Sequence, residues 1–282
     1  MRRCSWNATT AQTTSTPTES VREQHFGQTV AMSEIEPPSP SNPGGDLPEP
    51  ADMPTSVLYV AAVDSFLAFA RTLTDEQWST PVPCLPGWDV RDVLSHVAGI
   101  PDDAFAGRME GAPGEAWTAS QVERNRNLAT AALLDRWANQ YVAFGDVLDG
   151  IGEHRPPFDC HAHEHDIRQA LDLAGNRDSL VVEAAAVQLA RGFEPPTPVT
   201  IEFVDGRSFT TGNTEPSSVD GAVSVRGISA FEIFRSRLGR RSRSQVEAYD
   251  WSGDDAAVSE VIDAWFQFGP ADGPVLEDGE LN

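Results

Sequence analysis

The 282-residue chain has no lysine: all 20 of its cationic side chains are arginines. Against them stand 43 Asp and Glu residues, for a formal net charge of -23. A surface that acidic repels phosphate backbones and anionic headgroups, so neither nucleic acid nor a membrane surface is expected as a partner. Long apolar runs are missing as well. The longest unbroken one, Val57 to Val63, falls far short of the roughly 20 residues that span a bilayer. The first residues, despite Arg2 and Arg3, lead into Thr, Gln and Ser without an apolar segment, so no secretory signal is read there. Cysteine is scarce. Cys4, Cys84 and Cys160 are odd in number and far apart, which argues against a disulfide framework and for a reducing, cytoplasmic setting. What remains is the composition of a globular protein, 40% hydrophobic and 22% charged, with an arginine-only, alanine-rich character that points to a GC-rich bacterial genome.

Residues 1–53 are rich in Ser, Thr, Pro and Gln, show no periodicity, and read as a disordered tail. From Thr55 the texture changes. Leu58, Ala62, Phe66 and Phe69 mark one amphipathic helix; Val90, Val93, Val97 and Ile100 mark a second after a Pro-rich loop. Leu133, Trp137, Tyr141, Phe144 and Leu148 predict a third, longer helix, and a fourth begins near Phe158. Four such segments make a four-helix bundle the simplest architecture, and with a further helix near 179–192 the helical domain is assigned to 54–193. The chain then alternates. Val199, Ile201 and Phe203 with the turn dipeptide Asp205-Gly206 predict a hairpin over 199–211. Strands at 222–226 and 245–251, a helix opened by the capping signature at Ser229 and Glu232, and a helix at 255–267 complete a small α+β domain at 194–270. An acidic tail, 271–282, is expected to fray. The fold class is therefore α+β, with an all-α N-terminal bundle.

Chemistry concentrates in one place. Four of the six histidines lie between 154 and 165. At about 100° per residue, Asp159, His163 and Asp166 share the apolar face of the fourth helix with Ile167 and Ala170, while His161, His165 and Arg168 project to the other side. Burying ionisable groups is costly unless they are paired, hydrogen-bonded or metal-bound. Asp159 and His163 have the i, i+4 spacing that lets one helix offer two ligands to one ion, and His96, at the margin of the second helix's apolar face, is a third candidate. Two His and a carboxylate with one open position is a catalytic zinc pattern, also compatible with nickel or ferrous iron. The same spacing fits a buried Asp-His hydrogen bond without a metal. Glu164 lies off that face and is not read as a ligand.

The segments Trp78 to Trp88, ValArgAspValLeuSerHisValAlaGly (90–99), AspCysHisAlaHisGluHisAspIleArgGlnAlaLeu (159–171), ArgLeuGlyArgArgSerArgSerGlnVal (237–246) and AspTrpSerGly (250–253) together resemble the mycothiol-dependent maleylpyruvate isomerase-like family. That family belongs to the DinB-like metal-binding helical bundles. The resemblance spans about 55–270 and implies a divalent ion, zinc foremost, on His96, Asp159 and His163, with mycothiol as cosubstrate. The family's pattern has Glu where this chain has Asp159, one methylene shorter. Implied is a thiolate that attacks a small electrophile, giving isomerisation of an activated alkene or thiol transfer to a compound with a leaving group. A non-catalytic metal-binding or stress-responsive regulatory module on the same fold is the alternative.

Around this core, Asp166 is expected to orient a ligand from behind. Arg235, Arg237, Arg240, Arg241 and Arg243 form a basic cluster. Arg240 and Arg241 are the candidates for clamping a substrate carboxylate, and at least three of the five are expected on a solvated face. Cys84 and Cys160 read as small core residues and Trp88 as bundle packing.

Overall fold

The computed structural model describes residues 49–211 and 223–277. All but the last few residues of the expected N-terminal tail, and the end of the acidic one, lie outside that range. The first helix, α1 (Thr55–Ala70), buries Leu58, Ala62, Phe66 and Phe69 as its spacing predicts. Helix α2 (Val90–Phe105) starts at a reciprocal capping box, in which the Asp89 carboxylate accepts from the Asp92 N–H at 2.9 Å and the Asp92 carboxylate from the Asp89 N–H at 3.3 Å. Helix α3 (Glu115–Asn125), which packs on α2, has no counterpart in the sequence reading. Its buried residues are Trp117, Gln121, Val122 and Asn125, two of the four polar, so apolar periodicity did not reveal it.

The helix expected over 133–148 is two, α4 (Thr130–Ala138) and α5 (Tyr141–Ile151). Asn139 breaks it by turning its side-chain amide back onto the Asp135 carbonyl at 2.8 Å, a local bond of the kind that competes with helix continuation. Leu133, Trp137, Phe144 and Leu148 are nevertheless all buried, so the apolar rhythm survives the break. Helix α6 (Arg155–Ala170) opens with two prolines in its first turn, where their missing N–H costs nothing. It packs against α1, α2 and α7 (Leu180–Arg191), the last capped by the Ser179 hydroxyl accepting from the Val182 N–H at 3.1 Å.

Beyond α7 the chain forms a four-stranded sheet in the order β2-β1-β3-β4. Strands β1 (Val199–Phe203) and β2 (Ser208–Thr211) make the expected hairpin, with Gly206 at φ +88° in its turn. Strand β3 (Val223–Ile228) pairs parallel to β1, and β4 (Asp250–Ser252) antiparallel to β3. Between them lie α8 (Ala230–Arg237) and α9 (Arg243–Glu247); α10 (Asp255–Trp265) follows. The strand expected at 245–251 is thus reduced to its last residues, because Ser242 and Gln245 form a second capping box and start a helix instead. One hydrophobic cluster runs from Leu58 in α1 to Trp265 in α10, so the helical and sheet-bearing parts share their core.

That shared core overturns three expectations. Helix α6 has no solvent face: His161 and His165 are as buried as His163, because α8 lays Phe234 and Phe231 over their rings at 6.1 and 4.9 Å. A wheel can sort one face from another but cannot say that a second layer covers both. Arg235, Arg237, Arg240 and Arg241 are buried rather than solvated, held by buried acids and by carbonyls such as that of Trp265. The acidic tail is not frayed through 277. Val275 exchanges two 2.9 Å hydrogen bonds with the Gln245 side chain, and buried Glu277 accepts from Arg235 and Arg241 at 2.8 Å each.

Candidate metal centre

Helices α2 and α6 cross so that His96, Asp159 and His163 meet. One ligand atom from each lies within 4.8 Å of the others. The two Asp159 oxygens divide the work: Oδ2 is 3.4 Å from His96 Nε2 and Oδ1 is 3.5 Å from His163 Nε2. Each separation is near the spacing of about 3.4 Å between neighbouring ligands that bonds of about 2.1 Å give in a tetrahedral site, though the two run to different oxygens. Both imidazoles are buried, whereas the Asp159 side chain keeps 22% of its exposure, so the cluster is open on the carboxylate's side.

The far sides of both rings decide what the near sides can do. Asp166 can only accept, so His163 Nδ1, 3.1 Å away, carries the proton. For His96 the chain is one residue longer. The Gln121 amide nitrogen donates to the Asp103 carboxylate at 3.1 Å, which fixes the amide's orientation and turns its oxygen to His96 Nδ1 at 2.7 Å. With the rings neutral, as binding a cation requires, this leaves the Nε2 lone pairs for the shared space beside Asp159, the tautomer a metal ligand needs. The donor set and its backing fit a divalent ion.

The electrostatics agree. Burial alone would raise the Asp159 carboxyl, but positive charge on His163 and His96, with Arg240, overcomes it and holds it at about 2, so the carboxylate is ionised beside cationic charge as a metal ligand is. Asp166 is fully buried, yet Arg240, Arg235 and His163 keep it well below the usual carboxylate range. Asp166 accepts from Arg235 Nη1 at 2.8 Å and Arg240 Nη2 at 3.0 Å, so it is tied into α8 and the segment after it. Arg241 bonds Glu232 and Glu277. Arg240 and Arg241, expected to clamp a substrate, are thus committed to internal carboxylates.

Trp88 does more than pack the bundle: half-buried, its ring lies 5.5 Å from that of His96 and 6.3 Å from that of His163, with Trp117 6.4 Å from His96 on another side. Glu164 is absent from the cluster, as expected, but it is buried, bonded to Arg168 and Ser65. Burial pushes the Cys84 and Cys160 thiols up, helped by Asp166 at Cys84 and Glu164 at Cys160, so neither is poised as a nucleophile. Gln121 and Asp103 escaped the sequence reading altogether. The one available signal was a glutamine in step with Trp117 at i, i+4.

The sequence of residues 59–158 matches the family described as the mycothiol maleylpyruvate isomerase N-terminal domain. That segment runs from α1 into the start of α6 and includes His96, while Asp159 and His163 lie just past its end. Two solved structures are similar, the mycothiol-dependent maleylpyruvate isomerase (TM-score 0.45) and a histidine-to-alanine mutant of it (TM-score 0.44). Each is 14% identical and covers 74% of this chain and 97% of its own. No curated protein matches the sequence. Among the described residues, no helix is long and apolar enough to cross a membrane.

Proposed function

We propose that the chain is an enzyme that binds one divalent ion, zinc foremost, on His96, Asp159 and His163 and uses mycothiol to isomerise, or to transfer the thiol to, a small electrophile. The observation that carries this reading is the pair of Nε2 lone pairs aimed at one carboxylate, each fixed from behind by an acceptor on its Nδ1. An ion held there supplies the positive charge that favours the thiolate form of a thiol. Gln121 and Asp166 hold the two rings in register, so ligand geometry is set before anything binds. Trp88 and Trp117 flank the His96 ring, and Asp159 is the most exposed of the three ligands. Addition of a thiolate to an activated alkene allows rotation about the former double bond, and elimination returns the thiol; with a leaving group, the sulfur stays on the product.

The N-terminal domain family at 59–158 supports the choice of thiol. That family also supports a small-molecule substrate rather than nucleic acid as the partner. Metal analysis of purified protein tests the first half: about one ion per chain, with loss of most of it in His96→Ala and His163→Ala. Thiol consumption by the metal-loaded protein, with mycothiol and a set of electrophiles, tests the second. A metal-free protein whose histidine variants differ only in stability defeats the proposal; one that binds metal but consumes no thiol is the regulatory module instead.

A further inference from the structure

The loop between α1 and α2 carries more than Trp88. A cleft of about 470 Å³ lies over it, lined by Val82, Pro83, Pro86, Trp88, Asp89 and Asp92 among others. Trp88 is the residue common to the cleft and the metal cluster, and the only charged residues lining the cleft are the two aspartates. The wall is otherwise prolines, a valine, a glycine, a serine and the indole. Such a surface offers an indole face for a flat body to stack on, and its two aspartates repel an anion.

The surroundings of the cluster offer an anion no better reception. The arginines whose charge reaches Asp159 are Arg240 and Arg155. Arg240 is bonded to Asp166, and Arg155 to Glu153 at 2.7 Å. Taken together, Arg235, Arg240 and Arg241 face Asp166, Glu232 and Glu277, three cations against three carboxylates in one buried network. Turning Arg240 or Arg241 to a substrate would take charge-assisted bonds from the buried Asp166 or Glu277, which is costly. Asp159 and a thiolate match the two charges of a divalent ion, so no surplus is left for a substrate carboxylate.

We infer that the cleft beside Trp88 seats the body of the electrophile and selects a neutral, planar, apolar molecule over an anionic one. This inference rests on the function proposed above, and it sets the substrate class apart from dicarboxylic keto acids. With a chloronitroarene, for example, sulfur's electron pair forms the C–S bond, the C–Cl bond breaks, chloride leaves with its pair, and the thiol's proton passes to buffer.

The test begins with binding, not turnover. Equilibrium dialysis of the full metal-loaded chain, without thiol, compares methyl 3,5-dinitrobenzoate with 3,5-dinitrobenzoate, matched in shape and lacking a leaving group. The ester is expected to bind at least tenfold more tightly than the acid. Trp88→Ala should weaken the ester at least tenfold. Pro83→Arg, on the exposed rim, should strengthen the acid and close most of the gap, which keeps the inference testable if Trp88→Ala folds poorly. Equal binding, tighter binding of the acid, binding of neither, or ester binding that neither substitution moves would each overturn it. Mycothiol consumption with methyl 4-chloro-3,5-dinitrobenzoate and its free acid then separates the two proposals. Ester binding without thiol consumption defeats only the proposed function, whereas turnover that prefers the acid defeats only the cleft's selectivity.

Discussion

At the scale of single residues, the cluster depends on groups that never touch its centre. Gln121 fixes the His96 tautomer through one amide whose two ends have different partners. Gln121→Leu is therefore expected to lower zinc affinity about 10- to 100-fold, read by competition with a chromogenic chelator, while the protein stays folded. Asp166 does the same for His163 but also neutralises two buried arginines. Removing one partner of a buried charge network leaves the other uncompensated. Asp166→Asn should thus cost about 3–5 kcal/mol in urea unfolding, in addition to weakening metal. His96, Asp159 and His163 were legible because chemistry and helical spacing point the same way. Gln121 was not, since a glutamine on a polar helix announces nothing until the neighbouring helix is in place.

At the scale of elements, the approach of α3 to α2 is what brings Gln121 to His96, and it depends on Gly99. A Cβ there would sit 2.9 Å from Gln121 Cβ and 3.0 Å from its Cγ, closer than carbons tolerate. Alanine is the better helix former by up to about 1 kcal/mol, but the overlap carries a cost of about 1–3 kcal/mol. Gly99→Ala should consequently destabilise the protein in denaturant and weaken metal binding by displacing Gln121, although it changes no ligand. The division of the third helix into α4 and α5 is the opposite case. Periodicity located Leu133, Trp137, Phe144 and Leu148 there and missed the break, because Asn139's bond to Asp135 is local and leaves the apolar rhythm intact.

At the scale of the whole molecule, the C-terminal segment closes the charge network that begins at the cluster. Glu277 accepts from Arg235, Arg235 donates to Asp166, and Asp166 accepts from His163. Glu277→Gln weakens two charge-assisted bonds but leaves each arginine another acid, so it should cost less than Asp166→Asn, roughly 1.5–3 kcal/mol, measured in the same urea series. Acid sensitivity has an identifiable contributor outside the site. Burial would raise Glu232, but Arg241's two bonds and the Tyr249 hydroxyl outweigh it and hold the carboxyl below its ordinary 4.5. Its contribution is complete above pH 4.5 and is lost as pH falls through the depressed native value. The decline in stability below pH 4.5 should be shallower in Glu232→Gln than in the parent protein.

The sequence by itself determined the helical first part and sheet-bearing second part, the hairpin at Asp205-Gly206, and the shared helix face of Asp159 and His163, because spacing along one element is enough to place a residue on a face. Tertiary structure alone decided which faces a second layer covers. It buried His161 and His165 beneath α8, took Arg240 and Arg241 out of solvent, and drew Glu277 from an acidic tail into the core. The energy of a charge depends on its neighbours in space, and those come from segments up to about a hundred residues away, for which no local pattern carries a signal.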